Sequence, residues 1–197
     1  MNNLRKLVIA TGNVGKLREI DALLERFNIT SLPQAIFSIP EVEEPHPTFI
    51  ENALVKARHA SRHTGLPALA DDSGICVNAL QGAPGVYSAR YAGEPRSDQR
   101  NNQKLIETLK NNADRSAYYY CVIVLLRHAE DPQPIIAEGL WHGEIILEPR
   151  GEGGFGYDPY FFLPELNKTA AELQSDEKNK LSHRGKALAR LIEQLQR

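Results

Sequence analysis

Nine consecutive residues, Tyr118 to Leu126, are aromatic or aliphatic apart from Cys121. A run of that kind with no charged member fits a strand buried on both faces, which obliges the fold to place a layer on each side of its sheet. It is far short of the roughly 18 apolar residues of a membrane span. The other end of the chain supports the same architecture. Leu4 to Ala10 reads as a buried strand, Thr11-Gly12-Asn13 as a turn, and Gly15 to Phe27 as a helix with Leu17, Ile20, Leu23, Leu24 and Phe27 at helical spacing. A strand, a glycine turn and a helix in that order open an α/β fold.

Several further elements are legible. Thr48-Phe49-Ile50-Glu51 predicts a capping box, Thr48 and Glu51 each satisfying the other's backbone N–H, at the head of a helix that turns Ile50, Ala53, Leu54, Ala57 and Ala60 inward and stops at Gly65. Pro67 to Ala70 predicts a short strand, and Ile75 to Leu80 resumes the pattern beyond Asp71-Asp72-Ser73-Gly74. Ser97 to Leu109 reads as a helix. Ile135 to Ala137 and Ile145 to Leu147 read as two strands with a turn near Gly143, and Tyr160 to Leu163 as another apolar stretch. Thr169-Ala170-Ala171-Glu172 predicts a box opening the first of two closing helical pieces, and Leu188, Leu191, Ile192 and Leu195 share a face of the second. No repeat, low-complexity tract or linker divides the chain, so residues 1–197 are expected to form one domain.

Composition narrows the function classes. Of 197 residues 42% are hydrophobic and 24% charged, which excludes a disordered chain. With 23 Lys and Arg against 25 Asp and Glu the net charge is -2, which gives no support to wholesale binding of nucleic acid or a membrane surface. Cys76 and Cys121 lie in apolar runs and are expected as buried thiols. The Leu7 to Ala10 run is too short for a signal sequence, so a soluble cytoplasmic protein is expected.

Four stretches carry possible chemistry. Thr11-Gly12-Asn13-Val14-Gly15-Lys16 lies between a strand and a helix start, where backbone N–H groups favour an anion and Lys16 adds a point charge; a tight turn with a solvent-facing lysine reads equally well. It lacks the spacing of a Walker A loop or a dinucleotide fingerprint. Glu43-Glu44 and Asp71-Asp72 supply the oxygen donors a hard divalent cation prefers, although a solvated loop and a plain Asp-Asp-Ser-Gly turn explain them as well. Phe155-Gly156-Tyr157-Asp158 offers a ring to stack on a base and a carboxylate to accept from a base N–H, or else a hairpin with its aromatics folded inward. Ser182-His183-Arg184-Gly185 interrupts the closing helices with donors, or simply caps the last of them.

Taken together and in this order, these stretches resemble the inosine triphosphate pyrophosphatase family, the Ham1-like or non-canonical purine NTP pyrophosphatases. The matching stretches are Thr11–Lys16, Thr48–Ala53 with Lys56, Ala70–Gly74, Gly82–Arg90, Gly154–Asp158 and Ser182–Gly185, which extend over essentially the whole chain. The forms Asp-Asp-Ser-Gly and Phe-Gly-Tyr-Asp are those of the bacterial dITP/XTP pyrophosphatase branch. The resemblance implies an α/β fold of two lobes around a long central mixed β-sheet flanked by helices, with the active-site cleft between the lobes. It implies a homodimeric, cytoplasmic hydrolase that uses Mg²⁺ to convert ITP, dITP and XTP to the monophosphate and pyrophosphate, and so cleanses the nucleotide pool.

Residue by residue, the resemblance makes Asp72 the proton acceptor and a metal ligand, Glu43 (beside Glu44) a second metal ligand, and Lys56 a lysine near the phosphates. Thr11, Gly12, Asn13, Val14, Gly15 and Lys16 would hold the triphosphate. Ser73, Phe155, Gly156, Tyr157, Asp158, Lys178, His183 and Arg184 would contact the nucleotide. Donors such as His183 and Arg184 would face the C6 carbonyl of hypoxanthine or xanthine and reject the amino group of adenine. Two other functions compete: a non-catalytic nucleotide-binding regulator, against which the acidic pairs argue, and a Maf-like pyrophosphatase, against which Ser182-His183-Arg184 argues.

Overall fold

The computed structural model describes residues 6–25, 27–40 and 42–196. Its strands are β1 (Lys6–Ile9), β2 (Thr30–Pro33), β3 (Ala68–Val77), β4 (Ser116–Leu126), β5 (Ile135–Ile145), β6 (Phe161–Leu163) and β7 (Lys168–Thr169). They form one seven-stranded sheet in the order β2-β1-β3-β4-β5-β6-β7. The sheet is mixed: β1 runs parallel to both β2 and β3, whereas β6 is antiparallel to β5 and β7. The α-helices are α1 (Val14–Glu25), α2 (Phe49–Thr64), α3 (Asp98–Leu109), α4 (Ser175–Leu181) and α5 (His183–Gln196). Leu4 and Arg5 of the expected first strand, and Arg26 of the expected first helix, lie outside the described residues. No helix among the described residues is long and apolar enough to cross a membrane.

The chain divides into two compact units, one of Met1–Asp72, Cys121–Gly139 and His183–Arg197, the other of Ser73–Tyr120 and Leu140–Ser182. In the first, side-chain alternation puts Leu7, Ile9, Leu69, Cys121, Ile123 and Leu125 on one face of β1, β3 and β4. There they meet Ile20 and Leu24 of α1 and Leu188, Leu191 and Ile192 of α5. The opposite alternation buries Val8, Ala68, Ala70, Val122 and Val124, and α2, which packs on β1, buries Ala53, Ala57 and Ala60. The second unit has its own core. Ile75, Val77, Ala117, Trp141, Ile145 and Leu163 surround Tyr119 and Phe161, whose rings meet edge-on at 4.7 Å, with Leu105 and Leu109 of α3 against them. Both cysteines are buried and unbridged, as expected.

Local expectations fail in four places. The Asp71–Gly74 segment is no turn but the middle of the continuous ten-residue β3, because partners distant in sequence compensate its carboxylates. Likewise Ile135–Ile145 is one strand through Gly143, and Glu144 pairs with Phe162. Glycine is needed there for close approach, since a Cβ would stand 2.5 Å from the Phe162 carbonyl oxygen. The Thr169–Glu172 box forms, but it caps a single 3₁₀ turn (Ala170–Glu172), and α4 begins only at Ser175. At α2 the box is half made: Thr48 accepts from the Glu51 N–H at 3.3 Å, while the Glu51 carboxylate takes the Thr48 hydroxyl rather than its N–H.

Candidate active site

In the first unit the helix start and the acidic strand converge on charge. Asn13 accepts the Lys16 N–H on its side-chain oxygen at 3.1 Å and the Leu17 N–H on its carbonyl at 2.9 Å, which starts α1 immediately after the glycine turn. Lys16 then turns toward the sheet, its ammonium 3.1 Å from the fully buried Asp71 carboxylate. Of the two readings of this lysine, the solvent-facing one does not describe the fold. The same Asp71 oxygen is approached by Arg184 Nη2 at 3.2 Å, and Arg184 Nη1 reaches Glu19 of α1.

Because successive strand residues point to opposite faces, Asp72 is directed away from this group and toward α2. Its Oδ1 lies 3.2 Å from Lys56 Nζ, and Lys56 also meets Glu44 at 2.9 Å. Two carboxylates thus share one ammonium. Glu43 is solvent-exposed, and its neighbour Glu44 is the residue that reaches Lys56.

These surroundings set the protonation states. Burial alone would push Asp71 up, but the charges of Lys16, Arg184 and Lys56 outweigh it and hold the carboxyl well below the usual carboxylate range. Asp72 is shifted the other way: burial raises it above the ordinary value, with Lys56 and Lys16 opposing. Burial would lower Lys56, yet Asp72, Glu44 and Asp71 overcome that and raise it, so it stays an ammonium ion. Two adjacent aspartates therefore behave differently. Asp71 is a fixed anion and Asp72 the more proton-receptive group.

In the second unit the Gly154–Asp158 loop is tied together by one carboxylate. Asp158 Oδ2 accepts from the Phe155 N–H and from Lys178 Nζ, both at 2.8 Å, and Tyr119 donates to Oδ1 at 3.4 Å. The carboxylate expected to take a base N–H thus accepts from its own protein. Lys178 of α4 stands 4.8 Å from the centre of the half-buried Phe155 ring, a cation–π contact. Tyr157 turns inward and donates to the Ser88 carbonyl at 2.8 Å. Asp98 and Asn102 of α3 hold Gly156.

The structure therefore gathers Lys16, Lys56, Asp72 and Arg184 in one unit with Glu44 and Asp71, the other members of the two acidic pairs, and with Glu19, which no sequence motif names. Phe155, Gly156, Tyr157, Asp158 and Lys178 lie together in the other unit, with Tyr119, Asp98 and Asn102 as unassigned supports. Ser73 is half-buried within β3, and His183 is buried at the head of α5. Glu19, three residues after Lys16, was detectable as a same-face neighbour on α1. The α3 residues left no such trace. Among the described residues no group of three or more His, Cys, Asp or Glu side chains is gathered for a metal ion.

Comparison with known proteins agrees with this arrangement of motifs. The Ham1 family model matches residues 7–194. A dITP/XTP pyrophosphatase of Nitrosomonas europaea is 67% identical over 192 residues, covering 98% of this chain and 95% of its own. One from Ralstonia nicotianae is 63% identical, covering 98% and 97%. Among solved structures, a Ham1 protein from Coxiella burnetii superposes with a TM-score of 0.90 at 51% identity, covering 97% of this chain and 98% of that one. With motifs, sheet order and near full-length similarity in agreement, the chain belongs to the Ham1 family.

Proposed function

We propose that the protein hydrolyses the non-canonical purine nucleoside triphosphates dITP, XTP and ITP to the monophosphate and pyrophosphate. It does so in the cytoplasm, as a homodimer and with Mg²⁺, removing these nucleotides before a polymerase uses them. The observation that carries this reading is the buried charge arrangement beside the head of α1. Lys16 stands in the first turn of α1, after the strand and turn, Lys56 lies within α2, and two carboxylates, Asp72 and Glu44, converge on Lys56. Lysines placed in this way favour phosphate oxygens, and the carboxylates suit a hard cation and a proton.

The residues fit magnesium. That ion takes one or two carboxylates together with phosphate oxygens and water rather than an all-protein cage. Asp72 and Glu44 already share one cationic partner, so we assign Glu44 rather than the exposed Glu43 to stand with Asp72. When bound, the ion would draw charge from the phosphate oxygens and acidify a water. Asp72, shifted upward by burial, orients the attacking water and accepts its proton at a carboxylate oxygen. Lys16 and Lys56 offset the charge that grows on the phosphate oxygens as pyrophosphate leaves. The Phe155 ring, backed by Lys178, stacks on the base.

Pyrophosphate release from dITP, XTP, ITP, ATP and GTP, with and without Mg²⁺, tests this. Discrimination through a hydrogen-bonded carbonyl reaches roughly 10⁴-fold, against about 10² for shape alone. Equal use of ATP would sink the proposal, and a monomer by light scattering would sink the dimer.

Gly154 offers a sharper check on the loop. Its φ is +76°, and a Cβ would fall 2.1 Å from Asp158 Oδ2. Gly154→Ala is expected to displace Asp158 and with it Phe155. KM for dITP should rise by up to about 10²-fold, as for misplaced binding groups in general. An unchanged KM would show that the loop does not touch the substrate.

A further inference from the structure

We propose that Asp98 and Asn102 are positioning residues that hold the Phe155 ring in the orientation needed for stacking on the base; the inference rests on the function proposed above. The two side chains lie four residues apart on α3, hence on one face of the helix. The Asp98 carboxylate accepts the Gly156 N–H at 2.8 Å, and the buried Asn102 amide donates to the Gly156 carbonyl at 2.9 Å. These bonds fix two successive peptide planes, the one joining Phe155 to Gly156 and the one joining Gly156 to Tyr157. Gly156 has φ +64° and no neighbour within 4 Å of where a Cβ would be. Its own conformation therefore does not restrain the loop, because glycine adopts either sign of φ at little cost. The shorter restraining bonds come from α3.

The other anchors hold this peptide less tightly, the Phe155 carbonyl accepting the Asp158 N–H at 3.3 Å against 2.8 Å and 2.9 Å for the α3 bonds. Asp158 binds the Phe155 N–H, and Tyr157 binds the Ser88 carbonyl, so the loop is tied at both ends. Between those ties, without the α3 pair, the Phe155–Gly156 peptide would be held only by the long bond from the Asp158 N–H to the Phe155 carbonyl, and its rotation would carry the ring off Lys178. Neither Asp98 nor Asn102 need touch the nucleotide to govern its binding.

The test compares D98A, D98N and N102A with the wild type, each also in an F155A background. D98A and N102A should each raise KM for dITP about 3–10-fold, the size of one lost hydrogen bond, and leave kcat within about twofold. D98N keeps an acceptor oxygen and should restore KM to near the wild-type value. In the F155A background D98A should add nothing further, because its effect runs through the ring. An unmoved KM with a lowered melting temperature, or an equal D98A effect with and without Phe155, would overturn the proposal. Amide exchange at Gly156, followed by NMR without nucleotide, reads the clamp by itself. Faster exchange in D98A is expected, and unchanged exchange refutes the clamp. Absence of dITP hydrolysis by the wild type would instead refute the function on which the proposal rests.

Discussion

Asp72→Asn should lower kcat for dITP by roughly 10²–10⁴-fold, the usual consequence of losing a general base. The substitution keeps the shape of the side chain and removes the negative charge. It takes away the proton acceptor, one of the two carboxylates on Lys56, and one of the two groups assigned to magnesium. Fold and nucleotide affinity should be far less affected, since Glu44 still pairs with Lys56 and Lys16 stays on Asp71. The measurements are steady-state pyrophosphate release, calorimetric titration with nucleotide, and a thermal melt. Turnover at the wild-type rate would exclude Asp72 from the mechanism. A collapsed melt would give it a structural role instead.

The second large effect concerns stability. Arg184 is 2% exposed and neutralises Asp71, whose side chain is wholly buried. Breaking a buried pair by removing one partner generally costs about 3–5 kcal/mol, because a charge is left without compensation. Lys16 remains beside Asp71, so Arg184→Ala should fall near the lower end of that range, about 3 kcal/mol by urea unfolding. Adding Asp71→Asn removes the stranded charge, and the double variant should recover part of the loss. A single variant as stable as the wild type would refute this account.

The pH dependence follows with a definite sign. A carboxyl held below its unfolded value contributes stability that is present above that unfolded value and lost as pH falls through the folded one. In Arg184→Ala the Asp71 carboxyl titrates higher, so acid unfolding should begin at a higher pH than in the wild type. The ITP to ATP ratio of the folded variant separately reads the base contact that the family resemblance implies for Arg184.

The residue order by itself determined the architecture and the identity of the family. Alternation and helical spacing are local, so Tyr118–Leu126 announced a doubly covered strand, and Leu17, Ile20, Leu23 and Leu24 a helix face, without reference to the rest of the chain. Motif types also survived, because Thr11–Lys16, Asp71–Gly74 and Phe155–Asp158 each carry their chemistry within a few neighbours. What each member of a motif does was decided only by tertiary structure. Asp71 and Asp72 are indistinguishable in sequence, and turn propensity alone would bend the chain there. In the fold they lie on a strand and face opposite sides, one meeting an arginine 113 residues away and the other a lysine 16 residues away. Opposite-charge partners at those separations stabilise a buried carboxylate only after the chain has closed on itself, and no local pattern encodes them. The same holds for Glu44 over Glu43, and for Asp98 and Asn102, which a reading of α3 alone would leave as ordinary polar residues of a surface helix. Coulomb and hydrogen-bond energies act over a few ångströms of space, not along the chain, and the tertiary structure supplies that proximity.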